Sequence, residues 1–258
     1  MTAETVCEIC GGTGWKIVER AGLSGAERCE CWAATRTRRL LEQARIPPNY
    51  EDASLDNFVM PQDNPIARRG FGNVLMQVRS FVREYPTKDH PGLLLVGGNG
   101  TGKTRLAVSV LKALIEKGFE GVFFDYQSLL ERITKSWDLT GGKGDREAYR
   151  SAFETDVLVL DELGAHRPME WIEDVVTGII THRCNNWKPL IVTTNLPDPD
   201  ITGTVTAYGE ISGVKIQKKT LADVIGARAR SRLFELCRVI RMPAIEDYRV
   251  QHGIKLDR

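Results

Sequence analysis

The chain has 258 residues, of which 42% are hydrophobic and 27% charged, a globular mix with room for one large unit and one small one. No apolar run approaches the roughly 20 residues that a membrane-spanning helix requires. The opening "MTAETVCEIC" lacks the basic-then-apolar pattern of a secretory signal, so the expected compartment is the cytoplasm, with no membrane contact and with reduced thiols. The formal net charge of +1 points to no polyanionic partner, yet residues 215–241 hold eight Lys/Arg while residues 145–174 hold nine Asp/Glu. Two solvated faces explain that asymmetry, and so does an acidic site of one subunit meeting basic residues of the next.

The first chemistry-bearing segment is "CEICGGTGW" followed by "CEC", which gives Cys7, Cys10, Cys29 and Cys31. Two close pairs separated by 18 residues suit a tetrahedral thiolate site for Zn²⁺. Gly11, Gly12 and Gly14 permit the tight turn such a knuckle needs. A disulfide pair conflicts with a reducing compartment, a redox pair lacks a βαβ context, and the spacing is not that of a ferredoxin cluster. A segment of about 30 residues has little core of its own, so the metal is expected to be structural. Cys184 and Cys237 stand in apolar segments and read as small core residues.

Residues 33–45 read as a short helix, stopped by Pro47 and Pro48. Residues 66–84 place Phe71, Val74, Leu75, Val78 and Val82 on one helical face. From residue 92 short apolar runs alternate with helical patterns: "GLLLV", a helix from Lys103 to a stop at Gly118, "GVFFDY", two helices around a Gly-rich loop, "DVLVLDE", a helix, "PLIVTTN", a basic helix over about 220–235, and "CRVIRM". That order predicts an α/β fold, a parallel sheet with helices on both faces.

"GGNGTGKT" comprises Gly97, Gly98, Asn99, Gly100, Thr101, Gly102, Lys103 and Thr104, and matches G-x-x-x-x-G-K-[ST] between a strand and a helix. Its backbone N–H groups and the helix N-terminus suit phosphate oxygens. Lys103 is expected to reach the β- and γ-phosphates and the Thr104 hydroxyl to ligate Mg²⁺. Asp161 sits at the C-terminal end of an apolar strand, where such sheets bind ligands, and is expected to hold Mg²⁺ through water. Glu162 beside it is placed to orient or deprotonate an attacking water. Asn195 ends the next apolar strand and reads either as a partner of the γ-phosphate or as a turn residue before Leu-Pro.

The phosphate loop, the Asp-Glu strand, the "TTN" strand and the basic helix together resemble the AAA+ ATPases, and within them the DnaC/IstB-like group, over residues 46–258. The group-specific pieces are "IPPNYEDASLDNF" (46–58), "LDELG" (160–164), "ITHRCNNWKPLIVTTNLP" (180–197), "IGARARSRLFELC" (225–237) and "EDYR" (246–249). The resemblance implies an AAA+ P-loop NTPase core without a helical lid, which nine residues after "EDYR" leave no room for. It implies ATP and Mg²⁺ as cofactors beside the Zn²⁺ of the cysteine knot. It makes Arg232 the arginine inserted into a neighbouring subunit's site, with Arg228 the alternative, and Arg249 a sensor arginine on its own nucleotide. Arg183 matches a basic position of less definite role.

Three functions follow from the resemblance. One is a helicase loader that uses ATP to control association of a replicative helicase with single-stranded DNA. Another is a transposition helper that directs a transposase, and the third is a nucleotide-gated DNA-binding adaptor with negligible turnover. Cysteine-rich segments ahead of the core occur among the loaders as partner-docking modules, which favours the first. The expected organisation is a zinc module over 1–34, a helix and Pro-containing linker over 35–63, and an ATPase domain over 64–258 that acts as a homo-oligomer on DNA or with its partner. Lys135, Trp137 and Lys143 around the Gly-rich loop combine cations with an aromatic, which suits a single strand or a plain surface helix equally.

Overall fold

The protein is seen as a computed structural model that describes residues 7–20, 22–138, 146–165, 170–202, 208–211, 214–217, 219–245 and 247–248. An antiparallel hairpin, β1 (Trp15–Arg20) and β2 (Leu23–Arg28), leads into helix α1 (Cys31–Gln43). After one 3-10 turn at Pro48–Tyr50 comes α2 (Pro65–Glu84), capped by the Asn64 side chain on the Ala67 N–H. The chain then alternates: β3 (Gly92–Val96), α3 (Lys103–Glu116), β4 (Gly121–Asp125), α4 (Tyr126–Asp138), α5 (Arg146–Glu154), β5 (Val157–Asp161), α6 (Glu170–Asn185) and β6 (Leu190–Thr194). A short α7 (Pro199–Thr202) and a hairpin, β7 (Tyr208–Ile211) with β8 (Val214–Gln217), precede α8 (Leu221–Leu236) and β9 (Cys237–Arg241).

Five strands form one parallel sheet in the order β4-β5-β6-β3-β9. Being parallel, they bring every strand's C-terminal end to one edge. The chain leaves β3 toward β4 on one side and later jumps from β6 over β3 to β9 on the other, so β3 stands at the switch point where such sheets bind ligands.

Strand side chains alternate between two cores, as the two-residue period of a strand requires. Leu94, Val96, Leu158, Leu160 and Val192 face the layer of α4, α5, α6 and α8. Leu93, Leu95, Val157, Val159 and Ile191 face α1, α2 and α3. Burial on both faces explains why these strands read as unbroken apolar runs. Phe71, Val74, Leu75 and Val78 of α2 are buried as their spacing predicts, and Val82 packs half-buried beside them. Cys184 and Cys237 are buried core thiols. The tail of α1 closes on the sheet's outer strand, with the Ala44 carbonyl accepting from the Phe123 N–H at 2.8 Å.

Arg183 is the largest fully buried side chain, at 0% exposure. Its guanidinium donates to the carbonyls of Ala152 (2.9 Å), Thr155 (3.2 Å), Asp156 (2.9 Å) and Pro189 (2.6 Å). Asp156 and Pro189 precede β5 and β6, so Arg183 ties the N-terminal sheet edge together, away from the ligand edge. Burial pushes its pKa down to about 10, which still leaves it protonated at neutral pH. The uncertain role of this residue in the sequence thus becomes a structural one: a buried cation that donates to four backbone carbonyls ahead of β5 and β6.

Candidate functional site

Between β3 and α3 the loop turns through Gly102, whose φ of 83° lies in the left-handed region, and a Cβ there would meet the Phe58 ring at 2.8 Å. Glycine satisfies both demands at once. Lys103 folds back over the loop, Nζ donating to the carbonyls of Gly97 (3.0 Å) and Gly98 (2.8 Å). Thr101 Oγ1 donates to the same Gly98 carbonyl at 2.9 Å. An ammonium with three donors held over this loop is placed to trade neutral carbonyls for anionic phosphate oxygens.

Asp161 brings the three predicted strand ends together. Its carboxylate accepts from Thr104 Oγ1 at 3.0 Å to each oxygen and from Thr193 Oγ1 at 2.6 Å. Thr193 Oγ1 also accepts from the Glu162 N–H at 2.9 Å. Burial pushes the Asp161 carboxyl above its ordinary pKa, opposed by the Thr193 and Thr104 hydroxyls. Asp161 and Thr104 together offer hard oxygen donors of the kind Mg²⁺ takes. Glu162 is exposed, with φ at 56°, a left-handed conformation uncommon outside glycine and found where a turn aims a side chain into a site. Asn195 is also exposed at the strand edge, and its Nδ2 donates to Asn99 Oδ1 of the phosphate loop at 3.1 Å.

Lys103, Thr104, Asp161, Glu162 and Asn195 line a cleft of about 250 Å³, together with Tyr50 and Tyr248, while Thr193 lies buried behind it. A second, apolar slot of about 320 Å³ adjoins it across Gly100–Gly102 and is walled by Phe58, Val59, Pro61 and Ile245. A polar cleft running into an apolar slot has the two-part character of a nucleotide: phosphates at the loop, base beyond it. Arg105 fixes the wall, its Nη2 donating to Asp52 Oδ2 and Asn57 Oδ1 at 2.9 Å each. Tyr50, Phe58 and Thr193 were not singled out by sequence. The segment 46–58 was marked only as group-specific, and a Thr in an apolar strand carries little signal by itself.

Among the described residues, none of α8 lines this cleft. Arg232 sits on the flank of α8 with its side chain 40% exposed, its Nη1 donating to Glu235 Oε2 at 2.7 Å, and Arg228 is exposed one helical turn earlier. Arg249 and Lys143 lie outside the described residues, as do the side chains of Lys135 and Trp137.

The four N-terminal cysteines form a second constellation. All four sulfurs lie within 4.8 Å of one another, with Cys7 Sγ to Cys29 Sγ at 3.7 Å and Cys10 Sγ to Cys31 Sγ at 3.4 Å. A metal with about 2.3 Å bonds to four tetrahedral thiolates has sulfur edges of about 3.8 Å, so the donor set and spacing fit Zn²⁺. All four are free cysteines. The Gly14 N–H donates to Cys10 Sγ at 3.4 Å and brings that thiol down to about 6, while its hydrogen bond with Cys10 pushes the Cys31 thiol up. Arg28 stacks on Trp15 (3.8 Å) and Trp32 (4.4 Å), fastening the hairpin to α1. The same module exposes Ile9, Trp15, Ile17 (82%) and Leu23 (77%).

Comparison with known proteins places these features in a family. The IstB-like ATP binding protein family matches residues 34–204, about two thirds of the chain. The replicative helicase loader DnaC of Escherichia coli (strain K12) is 20% identical over 162 residues, 63% of this chain and 63% of that protein. The replicative helicase loader DnaI of Bacillus subtilis (strain 168) is 25% identical over 171 residues, 66% of this chain and 51% of that protein. The chain therefore spans less than two thirds of the length of either curated relative. A crystal structure of the DnaC helicase loader superposes with a TM-score of 0.61 at 30% identity, covering 76% of this chain and 100% of that one.

Proposed function

Because the chain belongs to the IstB-like ATP binding protein family, and within it resembles the DnaC and DnaI helicase loaders, we propose that it is an ATPase of the helicase-loader type. The observation that carries the nucleotide chemistry is the hydrogen-bonded chain from Thr104 through Asp161 to Thr193, which pins phosphate loop, acidic strand end and "TTN" strand to one carboxylate. In this reading Lys103 binds the terminal phosphates, and Thr104 and Asp161 hold Mg²⁺, which neutralises phosphate charge when bound. Glu162 orients or deprotonates the attacking water, and Asn195 meets the γ-phosphate. Arg232 of one subunit completes the cleft of the next, in a homo-oligomer formed on DNA or with the partner. Arg249 takes the sensor position on its own nucleotide.

The module over 1–34 holds one Zn²⁺ on Cys7, Cys10, Cys29 and Cys31 and docks the protein partner, 35–63 joins it to the core, and 64–258 forms the ATPase. Its exposed apolar residues, Ile9, Trp15, Ile17 and Leu23, support docking on protein. The replicative helicase is the partner this reading favours, with single-stranded DNA as the nucleic acid. The resemblance to the IstB-like group keeps a second reading, a transposition helper acting with a transposase.

A single-stranded DNA circle bearing an annealed oligonucleotide tests the choice. The replicative helicase of the source organism should unwind the oligonucleotide only when this protein and ATP are added. Helicase activity unchanged by the protein, with ATP-dependent binding to a transposase, would select the second reading.

A further inference from the structure

One buried carboxylate ties the loop after β6 to Arg230 of α8. Asp198, three residues beyond Asn195, is fully buried at 0%. Arg230 Nε donates to its Oδ2 at 2.5 Å and Nη2 to its Oδ1 at 2.6 Å, while Nη2 also reaches Asp200 Oδ2 at 2.5 Å. The guanidinium lies over the Phe234 ring at 4.4 Å. Arg230 holds the Asp198 carboxyl below the usual carboxylate range. Two-pronged geometry of this quality is what offsets the desolvation of a buried charge pair.

The pair sits where it has mechanical consequences. α8 is interrupted at Gly226, whose φ of 79° and ψ of 151° are not helical. Before the break, α8 is fixed by the Leu221 N–H on the Pro197 carbonyl at 3.0 Å and by a capping box of Thr220 and Asp223. After the break, Arg230 holds the second half of the helix to Asp198 and Asp200. Arg228 and Arg232 flank Arg230 at two residues on either side. Residues four apart share a helical face, and the residue midway between them points to the opposite side. Clamping Arg230 inward therefore turns Arg228 and Arg232 outward together.

We propose that the Asp198–Arg230 pair is a positioning device that couples the strand end at Asn195 to residues 227–236, so that occupancy of the nucleotide cleft sets where Arg228 and Arg232 stand. It rests on the nucleotide reading given above for Asn195. Arg230 touches no nucleotide in this scheme and acts through its neighbours.

Hydrogen exchange of the full chain with and without Mg·ATP tests it. In the wild type, ATP should slow exchange both over 97–104 and over 227–236. In Asp198→Asn, which keeps the size and loses the charge, slowing over 97–104 should persist and slowing over 227–236 should be lost. Steady-state turnover of that variant should show a lower kcat at unchanged KM for ATP. If Asp198→Asn does not fold, Arg230→Lys, which keeps the charge and loses the two-pronged contact, serves the same test. A purely structural pair would lower the melting temperature and leave the ATP response of 227–236 intact, which overturns the proposal. So does a wild type whose 227–236 ignores ATP while 97–104 responds. No ATP response at 97–104 would instead refute the nucleotide reading, and the coupling with it.

Discussion

Asp161 concentrates the chemistry of the site in one side chain. It is buried, its ionised form is opposed by desolvation, and two threonine hydroxyls from different elements hold it. A cation bound there would relieve the same penalty that burial imposes. Lys103→Ala should weaken ATP binding by about 10–100-fold, the loss of charge-assisted contacts to phosphate. Glu162→Gln should bind ATP normally and hydrolyse it about 10²–10⁴ times more slowly in single-turnover assays, the range for a lost general base. Undiminished hydrolysis would remove Glu162 from the mechanism. Arg183→Leu should remove the guanidinium's hydrogen bonds to four backbone carbonyls and lower stability by about 3–5 kcal/mol in denaturant titrations, with ATP affinity of the folded fraction unchanged. An unaltered midpoint would show that the carbonyls find other donors.

At the scale of elements, two parts of the chain stand on different physics. The sheet and its helices bury two continuous apolar layers and have cores of their own. The β1–β2 hairpin has no such core: every residue of β2 is exposed, and the strand ladder, the cysteine cluster and the Trp–Arg stack close it. The purified protein should therefore carry about one Zn²⁺ per chain, absent in Cys29→Ser. Chelation should collapse the indole NMR signals of Trp15 and Trp32 while the main thermal transition persists. Full metal content in the Cys29→Ser protein, or hairpin signals indifferent to chelation, would contradict the assignment.

The same division explains what could be read from sequence. The central strands were legible because burial on both faces writes unbroken apolar runs, and the phosphate loop because its eight residues are consecutive. The β2 sequence "LSGAER" shows neither an apolar run nor alternation, so the hairpin was invisible. Tyr50, Phe58 and the Asp198–Arg230 pair meet their partners across long stretches of chain, and no local pattern records such meetings.

For the whole molecule, the parallel sheet gathers Lys103, Asp161, Glu162 and Asn195 on one edge, yet none of α8 joins them among the described residues. Arg232 stands on the flank of α8, held by Glu235. A cleft that no residue of α8 enters among the described residues, and Arg232 on the flank of that helix, are what the proposed ATP site completed between subunits requires. An arginine supplied in trans is worth about 10³–10⁵ in rate. The direct measurement is ATP turnover by a mixture of Lys103→Ala and Arg232→Ala proteins, with single-stranded DNA present to promote assembly. Each variant alone should be nearly inactive, and the mixture should regain part of the wild-type rate, because the Lys103→Ala subunit lends its intact arginine to the intact cleft of the other. No regained activity in mixtures that demonstrably co-assemble would contradict a shared site and confine Arg232 to its own subunit.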